Sequence, residues 1–210
     1  MSQHHEHDHP HAALPDVAGE LGYYQMMEVA VRELLIEKGV VTADAMRRQI
    51  EDMDGRNAGL GARMVAHAWV DPQYKERMLA NGNAAAEEVG LDHGAFKLIV
   101  VENTREVHNV IVCTLCSCYP RWLLGLPPDW YKSRNYRSRV VREPRTVLRE
   151  FGLELPDHVT VRVHDSNADM RYLVLPVRPV GTDGWSEERL AALATRDSMI
   201  GVALADSARP

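Results

Sequence analysis

Apolar residues recur three and four apart along 23–38: Tyr23, Met26, Met27, Ala30, Val31, Leu34 and Leu35 share one face, with Gln25, Glu28, Arg32, Glu33 and Glu37 between them. That spacing predicts an amphipathic helix, and Gly39 supplies a left-handed C-terminal cap. Thr42 can cap a second helix over 43–53. A third spans about 62–69. Asp71 caps a fourth, with Pro72 at its first position, where a missing N–H costs nothing. Past Gly90 the period changes from helical to extended. Residues 97–102 and 107–112 are β-branched runs joined by a short turn, and 159–164 and 171–175 form a second such pair around Asp165-Ser166-Asn167. Between the pairs, 140–151 reads as helix interrupted by Pro144. Ser186 caps a last helix, with Glu187 and Glu188 in its first turn, and 200–204 reads as a short final strand.

The fold class is therefore α+β: an extended N-terminal helical arm followed by a layered α/β domain. The expected organisation is a disordered His-rich arm over 1–20, a helical arm over 21–90 and an α+β domain over 91–210. His4, His5, His7, His9 and His11 alternate with acidic residues and Pro10. That tail reads as solvated polymer, with weak metal collection as its second reading.

Composition narrows the classes. Of 210 residues 45% are hydrophobic and 26% charged, ordinary for a globular chain, and the net charge of −6 argues against a nucleic-acid reader. No run approaches the roughly 20 apolar residues of a membrane span, and no secretory h-region is visible, so the expected location is cytoplasmic. The basic group Arg137, Arg139, Arg142 and Arg145 has no interleaved aromatics and reads as salt bridging within the subunit or to a partner.

The chain has three cysteines, and all lie in Cys113-Thr114-Leu115-Cys116-Ser117-Cys118. Clustered thiols in a reducing compartment read as a metal site. A Cys3His zinc site would take His108 as fourth ligand, although zinc sites usually draw on two separated pairs. An iron–sulfur cluster wants four cysteines. The one-residue spacing of Cys116 and Cys118 suits a planar set better: two sulfurs plus the backbone nitrogens of Ser117 and Cys118. Deprotonated amides require a strongly Lewis-acidic ion such as Co(III) or Fe(III). Cys113 reaches that ion as an axial thiolate, and one position stays open for substrate or water.

Residues 101–104 and 107–118, which carry this motif, closely resemble the metal-binding region of nitrile hydratase α subunits. The resemblance continues through Leu124-Gly125-Leu126-Pro127-Pro128-Asp129-Trp130 and over 136–145, 171–176, 181–185 and 195–202, nearly all of the chain after residue 20. It implies a metal-bearing α subunit that hydrates a nitrile to its amide at a low-spin Co(III) centre. Cys113, Cys116, Ser117 and Cys118 would be ligands, and Cys118 and Ser117 catalytic groups. Cys116 would be a sulfinic and Cys118 a sulfenic acid. Thr114 resembles the cobalt type, so iron is the lesser expectation. The resemblance further implies a β-type partner in one chain or split over two, contacted by the helical arm, and a cobalt-insertion activator. Tyr119-Pro120-Arg121, Asp165-Ser166-Asn167 and Pro176-Val177-Arg178-Pro179 instead resemble the γ subunit of thiocyanate hydrolase, which is the alternative function. From another class, a non-catalytic zinc or thiol-sensing protein would carry zinc and unoxidised thiols.

Overall fold

The computed structural model describes residues 22–91 and 96–207; the histidine-rich segment 4–11 lies outside them. The chain divides into two units with the boundary between Gly55 and Arg56. The first holds α1 (Tyr23–Glu37) and α2 (Ala43–Gly55). Gln25 accepts a hydrogen bond from the Gly22 N–H, and Thr42 from the Ala45 N–H, so both helix starts are capped by side chains. Neither helix has a buried residue. Tyr23, Met26, Met27, Val31 and Leu34 of the predicted apolar face stand exposed.

The second unit contains α3 (Ala58–Val70), α4 (Pro72–Ala80), α5 (Gly82–Glu88), β1 (Lys97–Glu102), β2 (Val107–Val112), α6 (Arg121–Leu124), α7 (Asp129–Lys132), α8 (Arg134–Arg139), α9 (Pro144–Glu150), β3 (Thr160–Asp165), β4 (Met170–Leu175), α10 (Glu187–Ala191) and α11 (Arg196–Ile200). Helices 58–88, grouped with the arm by their period, share the core of this unit. Met64, Val65, Tyr74 and Met78 are fully buried in one cluster with Ile111, Leu123, Leu173 and Met199. Asp71 begins α4 as expected, its carboxylate accepting from the Gln73 and Tyr74 N–H groups.

Strands adjacent in sequence do not pair. β1 runs parallel to β4, Lys97 opposite Met170, and β2 runs parallel to β3, Val107 opposite Thr160. A buried polar network takes the place of a hairpin between β1 and β2. Asn103 donates its N–H to Leu175 O, and its Oδ1 accepts from the Asn109 N–H at 2.7 Å. Asn109 Nδ2 donates to Glu102 O. His108 accepts at Nδ1 from Asn103 Nδ2 and donates from Nε2 to Gly201 O at 2.8 Å, a tautomer set by the carbonyl acceptor. Five polar side-chain donors and acceptors are thereby satisfied inside the core, where leaving one unpaired costs about 1–3 kcal/mol.

Two local expectations change. Residues 200–204 form no strand: Ile200 closes α11, which the Thr195 hydroxyl caps, and Gly201 at φ +92° ends it in the left-handed region. Pro144 starts α9 rather than breaking a longer helix, because the first helical position needs no N–H.

Candidate metal centre

The cysteine loop leaves the C-terminal end of β2. Val110, Ile111 and Val112 are fully buried, so the strand delivers Cys113 into the interior, where it too is buried. The loop then turns outward: Thr114, Leu115 and Cys116 are exposed, and Ser117 and Cys118 half-buried. It folds back on itself far enough that the Cys116 N–H donates to Cys113 Sγ at 3.3 Å. The three sulfurs converge, with Cys113 Sγ 3.5 Å from Cys116 Sγ and Cys116 Sγ 3.3 Å from Cys118 Sγ. Among the described residues these three form the one group of cysteine, histidine and acidic side chains close enough together to share an ion.

Those spacings test the fit. Thiolates at about 2.3 Å from an ion stand about 3.3 Å apart when they subtend a right angle there and about 3.8 Å apart in a tetrahedron. The 3.3 Å separation of Cys116 and Cys118 matches the right-angle value, and the 3.5 Å separation of Cys113 and Cys116 falls midway between the two. The fourth zinc ligand that sequence offered is also spent, since both ring nitrogens of His108 are hydrogen-bonded elsewhere and burial lowers its pKa. The donor set fits a thiolate ion site with adjacent positions at right angles better than a tetrahedral zinc site.

The thiols differ electrostatically. Hydrogen bonds from Cys118 and Cys113, then from the Ser117 and Cys118 amides, favour the Cys116 thiolate and lower its pKa. Burial, followed by its bond to Cys116, pushes the Cys118 thiol up to about 12. Of these two thiols, the more exposed Cys116 is the one favoured as thiolate.

Surrounding groups hold the loop at four points. Tyr136 Oη donates to Ile111 O at 2.7 Å and Tyr131 Oη to Cys118 O at 2.9 Å, so phenols grip the backbone before and after the cysteines. Burial raises both phenol pKa values well above the ordinary range, keeping them donors. Asp165 at the end of β3 accepts from Thr114 N and Oγ1, and Arg137 donates to Thr114 O. Sequence reading missed Tyr131, Tyr136 and Asp165 as supports. Asp165 looked like turn chemistry, and only the parallel register of β2 with β3, which puts it opposite Val112, gives it its place.

The basic group separates on inspection. Arg139 pairs with Glu143 and Glu150. Arg142 donates to Ser138 O, and Arg145 to Leu155 O and Val159 O. Arg137 alone of the four reaches the cysteine loop. His67 pairs with Glu187, and His164 donates to Asn109 Oδ1, both away from the thiols.

Comparison with known proteins agrees with this geometry. A family model described as nitrile hydratase, alpha chain, matches residues 22–203. The cobalt-containing nitrile hydratase subunit alpha of Pseudonocardia thermophila is 52% identical over 178 residues, covering 82% of this chain and 86% of its own. Thiocyanate hydrolase subunit gamma of Thiobacillus thioparus is 46% identical over 197 residues, covering 88% and 81%. A solved double mutant of the Fe-type nitrile hydratase from Comamonas testosteroni Ni1 superposes with a TM-score of 0.85 at 42% identity, covering 91% of this chain and 96% of that one. No described helix is long and apolar enough to cross a membrane.

Proposed function

The chain belongs to the nitrile hydratase α-chain family, and from that premise we propose that it is the metal-bearing subunit of an enzyme that adds water to a nitrile to give the amide. The observation that carries this reading is the convergence of three thiols within 4.8 Å of one another on one turn. Cys113, Cys116 and Cys118 would hold the ion through sulfur, and Ser117 and Cys118 through backbone nitrogen. The ion is cobalt on this reading, by the cobalt-containing relative and by Thr114; an Fe-type relative makes iron the competitor. When bound, the ion supplies a Lewis acid that draws electrons from the carbon–nitrogen triple bond.

The chain's own residues do the rest. Cys113, buried at the strand end, anchors the loop. Exposure and thiolate character govern how far a cysteine is oxidised. Exposure ranks Cys116 first, half-buried Cys118 second and buried Cys113 last, and thiolate character also favours Cys116. That order supports a sulfinic acid at Cys116, a sulfenic acid at Cys118 and an unmodified thiolate at Cys113. A sulfenate oxygen on half-buried Cys118 would take a proton from the water that attacks the nitrile carbon, or would itself bond that carbon, water then attacking sulfur to restore the sulfenate as the carbon-bound oxygen leaves with the amide. The Ser117 hydroxyl can orient that water. A β-type subunit, in one chain or two, would close the site over the loop, and the exposed apolar face of α1 is a surface for it to cover. An activator would insert the ion. The reaction belongs in the cytoplasm, where thiols persist until they are deliberately oxidised.

The test is the complete enzyme, purified with its partner, with metal content, intact mass and amide formation measured together. One cobalt and three added oxygens per chain are expected. Cys118→Ala should lower turnover by about 10²- to 10⁴-fold, the range for a positioned proton-transfer group. Full activity with full metal in that variant refutes the role of Cys118, and zinc on three unmodified thiols refutes the function. A second reading, thiocyanate hydrolysis to carbonyl sulfide and ammonia, draws on the γ-subunit similarity and on exposed Arg121, three residues past Cys118, whose charge would attract an anionic substrate.

A further inference from the structure

Nothing apolar shapes the first half of the cysteine loop. Thr114, Leu115 and Cys116 are exposed, Leu115 at 83%. Yet the segment must reverse sharply enough for the Cys116 N–H to reach Cys113 Sγ. Every polar group of Thr114 is held meanwhile. Its N–H donates to Asp165 Oδ1 at 2.9 Å, its hydroxyl to Asp165 Oδ2 at 2.5 Å, and its carbonyl accepts from Arg137 Nη1 at 3.3 Å. An anion thus grips the donor side of one residue and a cation the acceptor side. The anion is rigidly based: Asp165 is the last residue of β3, opposite Val112, and the next N–H, from Ser166, donates to Val112 O at 2.7 Å. Arg137, which makes no ion pair among the described residues, donates to the carbonyl of the same threonine whose N–H and hydroxyl Asp165 holds.

We propose that Asp165 is a positioning residue that holds the three thiols at metal-binding separation through Thr114, with Arg137 as its counterpart. The inference rests on the metal-site reading above. It assigns Asp165 no contact with ion or substrate: the carboxylate sets the turn, and the turn sets the sulfurs. Outer groups of this kind typically change metal retention by about 10- to 100-fold when removed.

The experiment uses the complete enzyme with its partner. Purified wild type, Asp165→Ala, Asp165→Asn and Thr114→Val are exposed to excess EDTA, and loss of the sulfur-to-metal absorption band is timed. Thermal unfolding is recorded in parallel. Asp165→Ala should lose its metal about 10- to 100-fold faster than wild type. Asp165→Asn keeps an acceptor for the Thr114 N–H, and the threonine hydroxyl can turn to accept from the amide, so it should stay within about tenfold. Thr114→Val deletes one of the two bonds and should fall between wild type and Asp165→Ala. It also decides the matter if Asp165→Ala does not fold, since a wild-type rate in Thr114→Val then overturns the proposal. A wild-type rate in Asp165→Ala, or equal losses in the alanine and asparagine variants, likewise overturns it and leaves the metal site standing. A wild-type enzyme with no thiol-bound metal overturns both.

Discussion

Gly201→Ala is the substitution whose cost follows most directly from the structure. A Cβ at this position would stand 2.0 Å from Asn109 O and 3.0 Å from Val110 Cα. Ordinary carbon contacts begin near 3.5 Å, so helix end and strand must separate by more than an ångström. Forcing a buried methyl into a filled site costs about 1–3 kcal/mol, and the left-handed backbone at φ +92° adds about 1–2 kcal/mol for any residue with a Cβ. If the displaced Gly201 carbonyl releases His108 Nε2, a buried donor loses its acceptor for about 1–3 kcal/mol more. The expected loss is about 2–5 kcal/mol, or about 3–8 kcal/mol where the histidine bond is lost as well, a large part of the roughly 5–15 kcal/mol that holds a domain together. Gly181→Ala is the control. Its φ of +80° carries the backbone cost, but nothing lies within 4 Å of the new methyl. Urea unfolding of both variants should separate them by at least about 1 kcal/mol, the cost of the buried methyl alone. Equal midpoints would mean that the approach of α11 to β2 is not tight and that the buried network does not depend on it.

Three further outcomes are expected. Tyr131→Phe removes the donor to Cys118 O and should lower the unfolding free energy from urea titration by about 0.5–1.5 kcal/mol with an unchanged slope; no loss would mean that water replaces the phenol. His108 has its pKa lowered from 6.5 chiefly by burial, so the unfolded chain binds more protons than the native one at acidic pH. Stability is therefore complete above pH 6.5 and is lost as pH falls below it towards the native pKa; melting temperatures from pH 8 to 5 should show this fall, less steep in His108→Gln, and an identical slope in the variant would discount the histidine. Arg121→Gln should weaken turnover of thiocyanate, an anion, at low salt more than turnover of a neutral nitrile, and equal effects on both would remove charge attraction as the role of Arg121.

Local chemistry made much of this legible in advance. The Asp71-Pro72 start of α4, the β-branched runs that became β1 and β2, and the cysteine spacing each depend on neighbours a few residues away. Strand pairing does not. The 102–105 segment reads as a short turn between two neighbouring runs, yet Asn103 and Asn109 hold the backbone there in a buried network and β1 pairs with β4 instead. Residues 200–204 have strand-like composition, and Gly201 overrides it by capping α11 against Asn109. The three thiols were evident at once. Their supports were not, because Asp165 and Tyr131 reach the loop only through tertiary structure, and neither residue type announces such a task.

The parallel pairing also bears on synthesis. Each two-stranded sheet closes only when its later strand arrives: β2 waits for β3, and β1 for β4. At a translation rate of about 5–20 residues per second, the cysteines leave the ribosome several seconds before Asp165 follows them. During that interval the thiols are tethered to an unpaired strand and free to meet stray metals or oxidants. Pairings between distant segments form slowly in any case. Correct loading is thus a question of timing as well as of affinity, and the window closes when β3 docks along β2.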